Sequence, residues 1–225
     1  MRSVWKPCLL LAVLFILPAA ALAGGTQTYE VRITNLTRGQ ILSPPVVVSH
    51  GADISLFRMG QPASDDLAAL AEDADSGGLI ATLNASDAVG DVVQAAGGIM
   101  PGGTSVVEIE VAMGKRLISF ASMLVTTNDA FAAARGLGVD PSGTVSMVVP
   151  AYDAGSEGNN EQCAFIPGPP CMNPFQRDVA NAEGYVHIHA GVQQIGDLTG
   201  MHDWRNPVAR IAVTRVNDDD ENGDD

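Results

Sequence analysis

Three acidic residues, Asp129, Asp153 and Glu157, lie in loops next to strong strand patterns. Asp153 and Glu157 are four residues apart, and Gly155 between them allows the tight turn that would bring both carboxylates toward one point. Hard divalent cations are held by several oxygen ligands, usually carboxylates together with carbonyls and water. The spacing therefore suits a metal site. It also suits the paired carboxyl groups of a hydrolase, or acidic loops that are only solvated.

A His-x-His pair forms a second group that could do chemistry. His187 and His189 fall in a predicted strand over residues 185–192, and alternation along a strand places both imidazoles on one face. Such a pair can bind a transition metal, and His202 with Asp203 could add ligands. The alternative is a polar strand face whose imidazoles are exposed or hydrogen-bonded to neighbours.

The remaining reactive residues point away from an enzyme. Cys163 and Cys171 flank a short loop with three prolines, which predicts a disulfide, with zinc as the weaker alternative. The sequence has no Gly-x-Ser-x-Gly elbow, no phosphate-binding Gly-Lys-Ser/Thr loop and no Cys/His nucleophile. Aromatic residues make up 5% of the chain, which is few for a carbohydrate cleft.

Composition predicts a folded, acidic protein. The chain has 225 residues, of which 46% are hydrophobic and 17% charged, so it can bury a core and differs from a disordered acidic chain. The formal net charge of −14 argues against nucleic acid or anionic membrane as a partner, because nothing would offset the repulsion from phosphate. The same charge permits cation binding.

The first 23 residues have the three parts of a secretory signal peptide. Arg2 and Lys6 supply the positive start, residues 8–17 form an apolar run, and Ala21-Leu22-Ala23 is a small-x-small cleavage pattern. The run is too short to span a bilayer comfortably, and no later stretch approaches that length. We therefore expect an exported protein, periplasmic or secreted, without a transmembrane segment after cleavage.

The rest of the chain predicts one all-β domain over residues 24–216, followed by a disordered acidic tail at 217–225. Many strand patterns are separated by Gly, Pro and Asp loops without β-α-β alternation, which favours an antiparallel β-sandwich with one or two short helices. The polar turn at 114–116, between the runs at 105–113 and 117–125, predicts a hairpin. The helices are expected at 64–72, capped by Ser64, and from Asn128 or Asp129 to Arg135. The apolar or alternating runs lie at 29–35, 46–48, 53–57, 105–113, 117–125, 144–149, 185–192 and 207–216.

Two segments make the sequence similar to a known family. Residues 120–131 read Phe-Ala-Ser-Met-Leu-Val-Thr-Thr-Asn-Asp-Ala-Phe, and residues 152–157 read Tyr-Asp-Ala-Gly-Ser-Glu. With the opening and closing strands, they resemble the spondin N-terminal domain of F-spondin and mindin, which also occurs singly in secreted bacterial proteins. The resemblance covers about residues 27–216. It implies a β-sandwich similar to C2 domains, with calcium bound by loops at one end.

The resemblance also implies which residues hold calcium. The family's ligands correspond to Asp129 in the first motif and to Asp153 and Glu157 in the second, where Glu157 replaces an Asp. A further acidic ligand upstream corresponds by spacing to Glu110. Glu108 shares a strand face with Glu110 and is the alternative.

The expected function is that of a secreted calcium-binding module in which calcium is structural and the partner is an unknown macromolecule or cell surface. The adhesion partners of animal members do not transfer, because residues 126–128 replace the family's Pro-Ser-Pro and Ala130 replaces its Trp. One alternative is a secreted hydrolase that uses the acidic cluster. The other is a periplasmic transition-metal-binding protein centred on His187 and His189.

Overall fold

The computed structural model describes residues 25–217. The predicted signal peptide at 1–23 lies outside these residues, as does the predicted acidic tail except for Asn217. Within the described part of the chain, no helix combines the length and the apolar character needed to cross a membrane.

The predicted antiparallel β-sandwich is confirmed by two sheets, in which every strand pairing is antiparallel. In chain order the elements are β1 (Gln27–Asn35), β2 (Val46–His50), α1 (Asp65–Asp73), α2 (Gly77–Asn84), β3 (Val89–Gln94), β4 (Thr104–Val111), β5 (Leu117–Met123), β6 (Ala130–Gly138), β7 (Thr144–Val149), β8 (Ala151–Asp153), β9 (His187–Ile188) and β10 (Ala209–Arg215). One sheet has the order β4-β1-β10-β7, and the other has the order β3-β2-β5-β6-β8-β9.

The six-stranded sheet is the middle layer of three. Successive side chains of a strand point to opposite faces, so its residues divide between two cores. In β6, Ala130 and Ala132 pack into the core shared with the four-stranded sheet, while Phe131 and Ala133 pack into the core beneath α1 and α2.

This burial on both faces explains why the helix predicted from Asn128 or Asp129 to Arg135 is wrong. Alanine favours helices intrinsically, and a strand buried on both faces shows no polar–apolar alternation. The pairing of β6 with β5 and β8 decides its conformation. The other predicted helix is confirmed as α1, in which Ser64 Oγ accepts the N–H of Leu67 at 3.3 Å.

The predicted hairpin is also wrong, because its two strands belong to different sheets. β4 pairs with β1, whereas β5 pairs with β2 and β6, so the turn between them crosses from one sheet to the other. Residues 53–57 form a loop, and only His187–Ile188 of the run at 185–192 is paired as a strand.

The register of the six-stranded sheet gathers three chemically interesting residues at one end. Ala130 lies opposite Asp153, which places Asp129 beside the end of β8. His187 lies opposite Asp153 on the next strand. Residues distant in sequence therefore meet at the end of three neighbouring strands.

Candidate metal centre

Asp129 is fixed by the turn that precedes β6. Thr127 Oγ1 closes this turn, since it donates to the Leu124 carbonyl at 2.6 Å and accepts the N–H of Ala130 at 3.1 Å. The carbonyl of Asp129 accepts the N–H of Ala154 at 3.2 Å. These backbone restraints hold the Asp129 side chain, which is fully buried, at the sheet end.

The loop after β8 depends on a glycine. Gly155 has φ +66°, and a Cβ at this position would lie 2.3 Å from the carbonyl oxygen of Tyr185. Glycine is therefore required both by the backbone conformation and by the close approach. The N–H of Gly155 donates to Asp153 Oδ1 at 2.7 Å, which fixes the start of the loop.

The carboxylate of Asp129 is satisfied on one oxygen only. Oδ2 accepts the N–H groups of Ser156 and Glu157 at 2.8 and 3.0 Å, and the Ser156 hydroxyl at 3.2 Å. Oδ1 is buried and has no hydrogen-bond partner. Burial, and secondly the charge of Asp153, raises the pKa of Asp129 to about 8. Such a buried oxygen is costly unless a proton or a cation occupies it.

Glu157 is also buried without a counter-ion. Its Oε2 lies 3.4 Å from Asn128 Nδ2, and burial followed by the charge of Glu72 raises the pKa of Glu157 to about 8. The nearby Arg177 guanidinium pairs instead with Glu72 at 2.5 Å and with Asp73 at 2.9 Å. Within residues 25–217, neither Asp129 nor Glu157 forms a salt bridge.

Asp153 connects these carboxylates to the two histidines. Its Oδ1 lies 4.0 Å from His187 Nε2, its Oδ2 lies 3.8 Å from His189 Nε2, and burial raises its pKa. One ligand atom each from Asp153, Glu183 and His187 lie within 4.8 Å of one another. A cavity of about 250 Å³ lies beside them, and His189 also lines it. This is a donor set that could hold a metal ion.

The structure therefore places Asp129, Asp153, Glu157 and the histidine pair at the same end of the sheet, while the group whose donor atoms lie within 4.8 Å of one another in the described residues is Asp153, Glu183 and His187. Asp129 bonds the backbone of Glu157, and the charges of Asp129 and Asp153 act on each other. His202 does not join this cluster, and its Nδ1 accepts the N–H of Thr199 at 3.1 Å.

The expectation for Glu110 is wrong. Its side chain is exposed on the outer face of β4, where Oε1 accepts the Thr28 hydroxyl at 3.0 Å. Its carbonyl accepts the Ser49 hydroxyl at 2.6 Å, and Ser49 lies opposite Ile118, near the other end of the six-stranded sheet. At about 3.3 Å per residue, the strand length puts roughly 25 Å between the two ends. Glu108 is exposed on the same face and is excluded for the same reason.

Two residues of the site were not predicted. Asn159 Nδ2 donates to Asp153 Oδ2 at 2.6 Å and to Glu183 Oε1 at 3.1 Å, so one amide bridges both carboxylates. The spacing of Glu183 four residues before His187 is the one sequence signal that could have indicated it. No local pattern marks Asn159.

The predicted disulfide between Cys163 and Cys171 is confirmed. It closes a loop that packs against the segment before Asp129, where the Thr126 hydroxyl donates to the Pro169 carbonyl at 2.8 Å. The disulfide thus restrains a loop that contacts the segment leading to Asp129.

Comparison with known proteins agrees with the fold and with the first motif. The family model described as Spondin_N matches residues 36–140, a range that includes Asp129, while Asp153 and Glu157 follow it. No curated protein matches this chain. Residues 36–140, 105 of the 225 residues, are thus similar to the spondin N-terminal domain family, and the antiparallel sandwich agrees with that resemblance.

Proposed function

We propose that this protein is an exported binding module without catalytic activity, in which Asp129, Asp153 and Glu157 hold a structural calcium ion. The observation that carries the proposal is the fully buried Oδ1 of Asp129, which has no hydrogen-bond partner, in a carboxyl group on which the charge of Asp153 also acts. Calcium prefers carboxylate, carbonyl and water oxygens, and this cluster offers that chemistry.

The charges of the cluster support a cation at this end of the sandwich. Burial raises the pKa of all three carboxyl groups, and repulsion from neighbouring carboxylates adds to each rise. A divalent ion would offset this repulsion. It would also join the loop before β6 to the loop after β8, since Asp129 belongs to one and Glu157 to the other. Its role is to fix these loops.

Support for a binding role comes from the family and from the lack of features that a glycan hydrolase would use. Trp204, the one tryptophan of residues 25–217, is 5% exposed and packs against His189 with ring centroids 5.0 Å apart, so it offers no stacking platform. The predicted signal peptide and the disulfide both favour an oxidising compartment outside the cytoplasm. The partner is a macromolecule or cell surface.

The test is calcium-dependent stability. A ligand that binds only the folded state stabilises by RT ln(1 + [L]/Kd), or roughly 2.7 kcal/mol at a hundredfold excess over Kd. Calcium should therefore raise the melting temperature of the chelator-treated protein by several degrees. Asp129→Asn should remove most of this shift, because it takes a formal charge from the cation and keeps the side-chain shape.

The matched control is Glu110→Gln, which should leave the shift intact because Glu110 is exposed on the other sheet. An unfolding curve that calcium does not move, even at millimolar concentration, would reject the calcium assignment. Turnover of a glycan or ester substrate that Asp129→Asn abolishes would instead favour the hydrolase alternative.

A further inference from the structure

We infer that the cavity beside Asp153 is a second metal site, in which Asp153, Glu183 and His187 bind a transition-metal ion of the zinc class. The set combines one imidazole nitrogen with two carboxylates, which are common zinc ligands, whereas calcium takes oxygen ligands. It shares Asp153 with the proposed calcium centre. It otherwise uses different atoms and does not depend on calcium.

The tautomer of His187 directs a lone pair into this site. Its Nδ1 lies 3.2 Å from the carbonyl oxygen of Ile188, which can only accept, so Nδ1 carries the hydrogen. The neutral imidazole then has its lone pair on Nε2, which lies 4.0 Å from Asp153 Oδ1. Three electron-pair donors therefore converge, and a cation between them would join groups that otherwise repel.

A hydrogen-bond network holds the two carboxylates from behind. The Asn159 amide nitrogen donates to both Asp153 and Glu183, so its Oδ1 must face the other way, where it lies 2.9 Å from His189 Nε2. His189 Nδ1 accepts the N–H of Gly191 at 2.9 Å, which leaves the imidazole hydrogen on Nε2 to donate to Asn159. Such partners orient metal ligands and tune their affinity.

This network assigns different roles to the two members of the His-x-His pair. His189 is buried, and both its ring nitrogens are engaged in hydrogen bonds. His187 is the ligand, and His189 is a positioning residue that acts through Asn159.

The geometry suits a small ion with an exchangeable position. Zinc–ligand bonds of about 2.0–2.2 Å place neighbouring donor atoms roughly 3.4 Å apart in a tetrahedron. The three donor atoms here lie within 4.8 Å of one another, so binding zinc requires them to move closer together. Glu183 is exposed and can make up the difference with its long side chain. Three protein ligands leave a fourth position for water, beside a cavity also lined by Val192 and Leu198.

The experiment is a titration of the calcium-saturated protein with Co²⁺, followed by the visible absorption bands that a low-symmetry cobalt site gives, and with Zn²⁺ by calorimetry. The wild type should bind one equivalent of either ion. His187→Gln and Glu183→Gln should each weaken binding by more than about tenfold. Both side chains reach solvent, so these variants should keep the fold and the calcium-induced rise in melting temperature.

His202→Gln is the matched histidine control and should bind cobalt like the wild type, since His202 lies outside the cluster. Asp129→Asn should lose the calcium response and keep cobalt binding, which separates the two sites. A wild type that binds no cobalt, or whose cobalt bands survive in His187→Gln, would overturn the inference even if calcium binding is established.

Discussion

The backbone N–H of Glu157 donates to Asp129 Oδ2 at 3.0 Å, so one expected calcium ligand holds the loop that carries another. The N–H of Ser156 donates to the same oxygen. These two N–H groups and the Ser156 hydroxyl all donate to Oδ2, whereas the buried Oδ1 has no hydrogen-bond partner. These hydrogen bonds link the loop after β8 to the turn before β6, the two segments that a calcium ion would join.

Gly155 is predicted to be essential for this loop. Gly155→Ala would impose a non-glycine residue at φ +66° and place its Cβ 2.3 Å from the Tyr185 carbonyl oxygen, so the loop must shift. We expect a loss of more than about 2 kcal/mol in the free energy of unfolding, together with a weaker calcium response. Chemical denaturation with and without calcium measures both effects.

Gly60→Ala separates the steric contact from the backbone effect. Gly60 also has positive φ, +74°, but a Cβ there meets nothing within 4 Å. It should cost only about 1 kcal/mol, the cost of the left-handed conformation, and leave the calcium response unchanged. Equal losses in the two variants would show that the approach to Tyr185 has no energetic role.

Arg177 is predicted to limit the negative charge around Glu157. Its guanidinium pairs with Glu72, which is buried, and with Asp73, so Arg177→Gln leaves the Glu72 carboxylate without its cation. We expect a loss of about 1–2 kcal/mol, kept modest because Arg177 is itself 41% exposed. Calcium affinity should rise, since a nearby positive charge is removed.

The control is Arg205→Gln, which removes an exposed arginine that pairs with Asp203. That change should alter stability by less than about 0.5 kcal/mol and leave calcium affinity as it is. If Arg177→Gln weakened calcium binding, the ion would not lie near Glu157.

Parts of the fold follow from local patterns, while others depend on contacts that the sequence does not display. β1 and β10 show the predicted alternation, since Val31, Ile33 and Ile211 point inward and the residues between them are more exposed. β6 lacks such a pattern because both of its faces are buried. The turn after β4 was read as a hairpin because a local turn signal does not show which sheet the next strand joins.

The candidate site likewise contains some residues that local motifs indicate and others that only the fold brings together. Asp129, Asp153 and Glu157 lie in contiguous motifs, so the resemblance to the family could indicate them as candidate ligands. Glu183 reaches Asp153 only because β8 and β9 pair. Glu110 was assigned by spacing alone, which gives no information about the sheet face on which a side chain lies.

Asn159→Ala is predicted to change the cobalt site without unfolding the protein. The amide holds Asp153 and Glu183 in register, so its loss should shift the cobalt absorption bands and weaken affinity by about tenfold. A purely structural role would lower the melting temperature and leave the bands where they are. Asn173→Ala, which removes amide contacts to the Cys163 and Cys171 carbonyls, is the control for losing an asparagine.

The stability of the metal-free protein is predicted to fall as the pH rises above neutrality. Burial raises the pKa of Asp129 and of Glu157 to about 8 in the folded chain, above their ordinary values of 3.8 and 4.5. The folded state therefore binds more protons than the unfolded state between those values, and its stability declines with rising pH across that interval. His189 has the opposite sign, because its pKa is lowered from 6.5 to about 4, so it opposes the decline only in acid.

Above about pH 6.5 the contribution of His189 is complete, and only the carboxyl groups still titrate. The melting temperature in chelator should thus fall most clearly between about pH 6.5 and 8. Saturating calcium should flatten this fall, since the ion replaces the protons on the same carboxylates, and calorimetry in buffers of different ionisation enthalpy should detect proton release on binding. Asp129→Asn should flatten the fall without calcium. A metal-free protein that instead gains stability over this interval would show that these carboxyl groups ionise with ordinary pKa values.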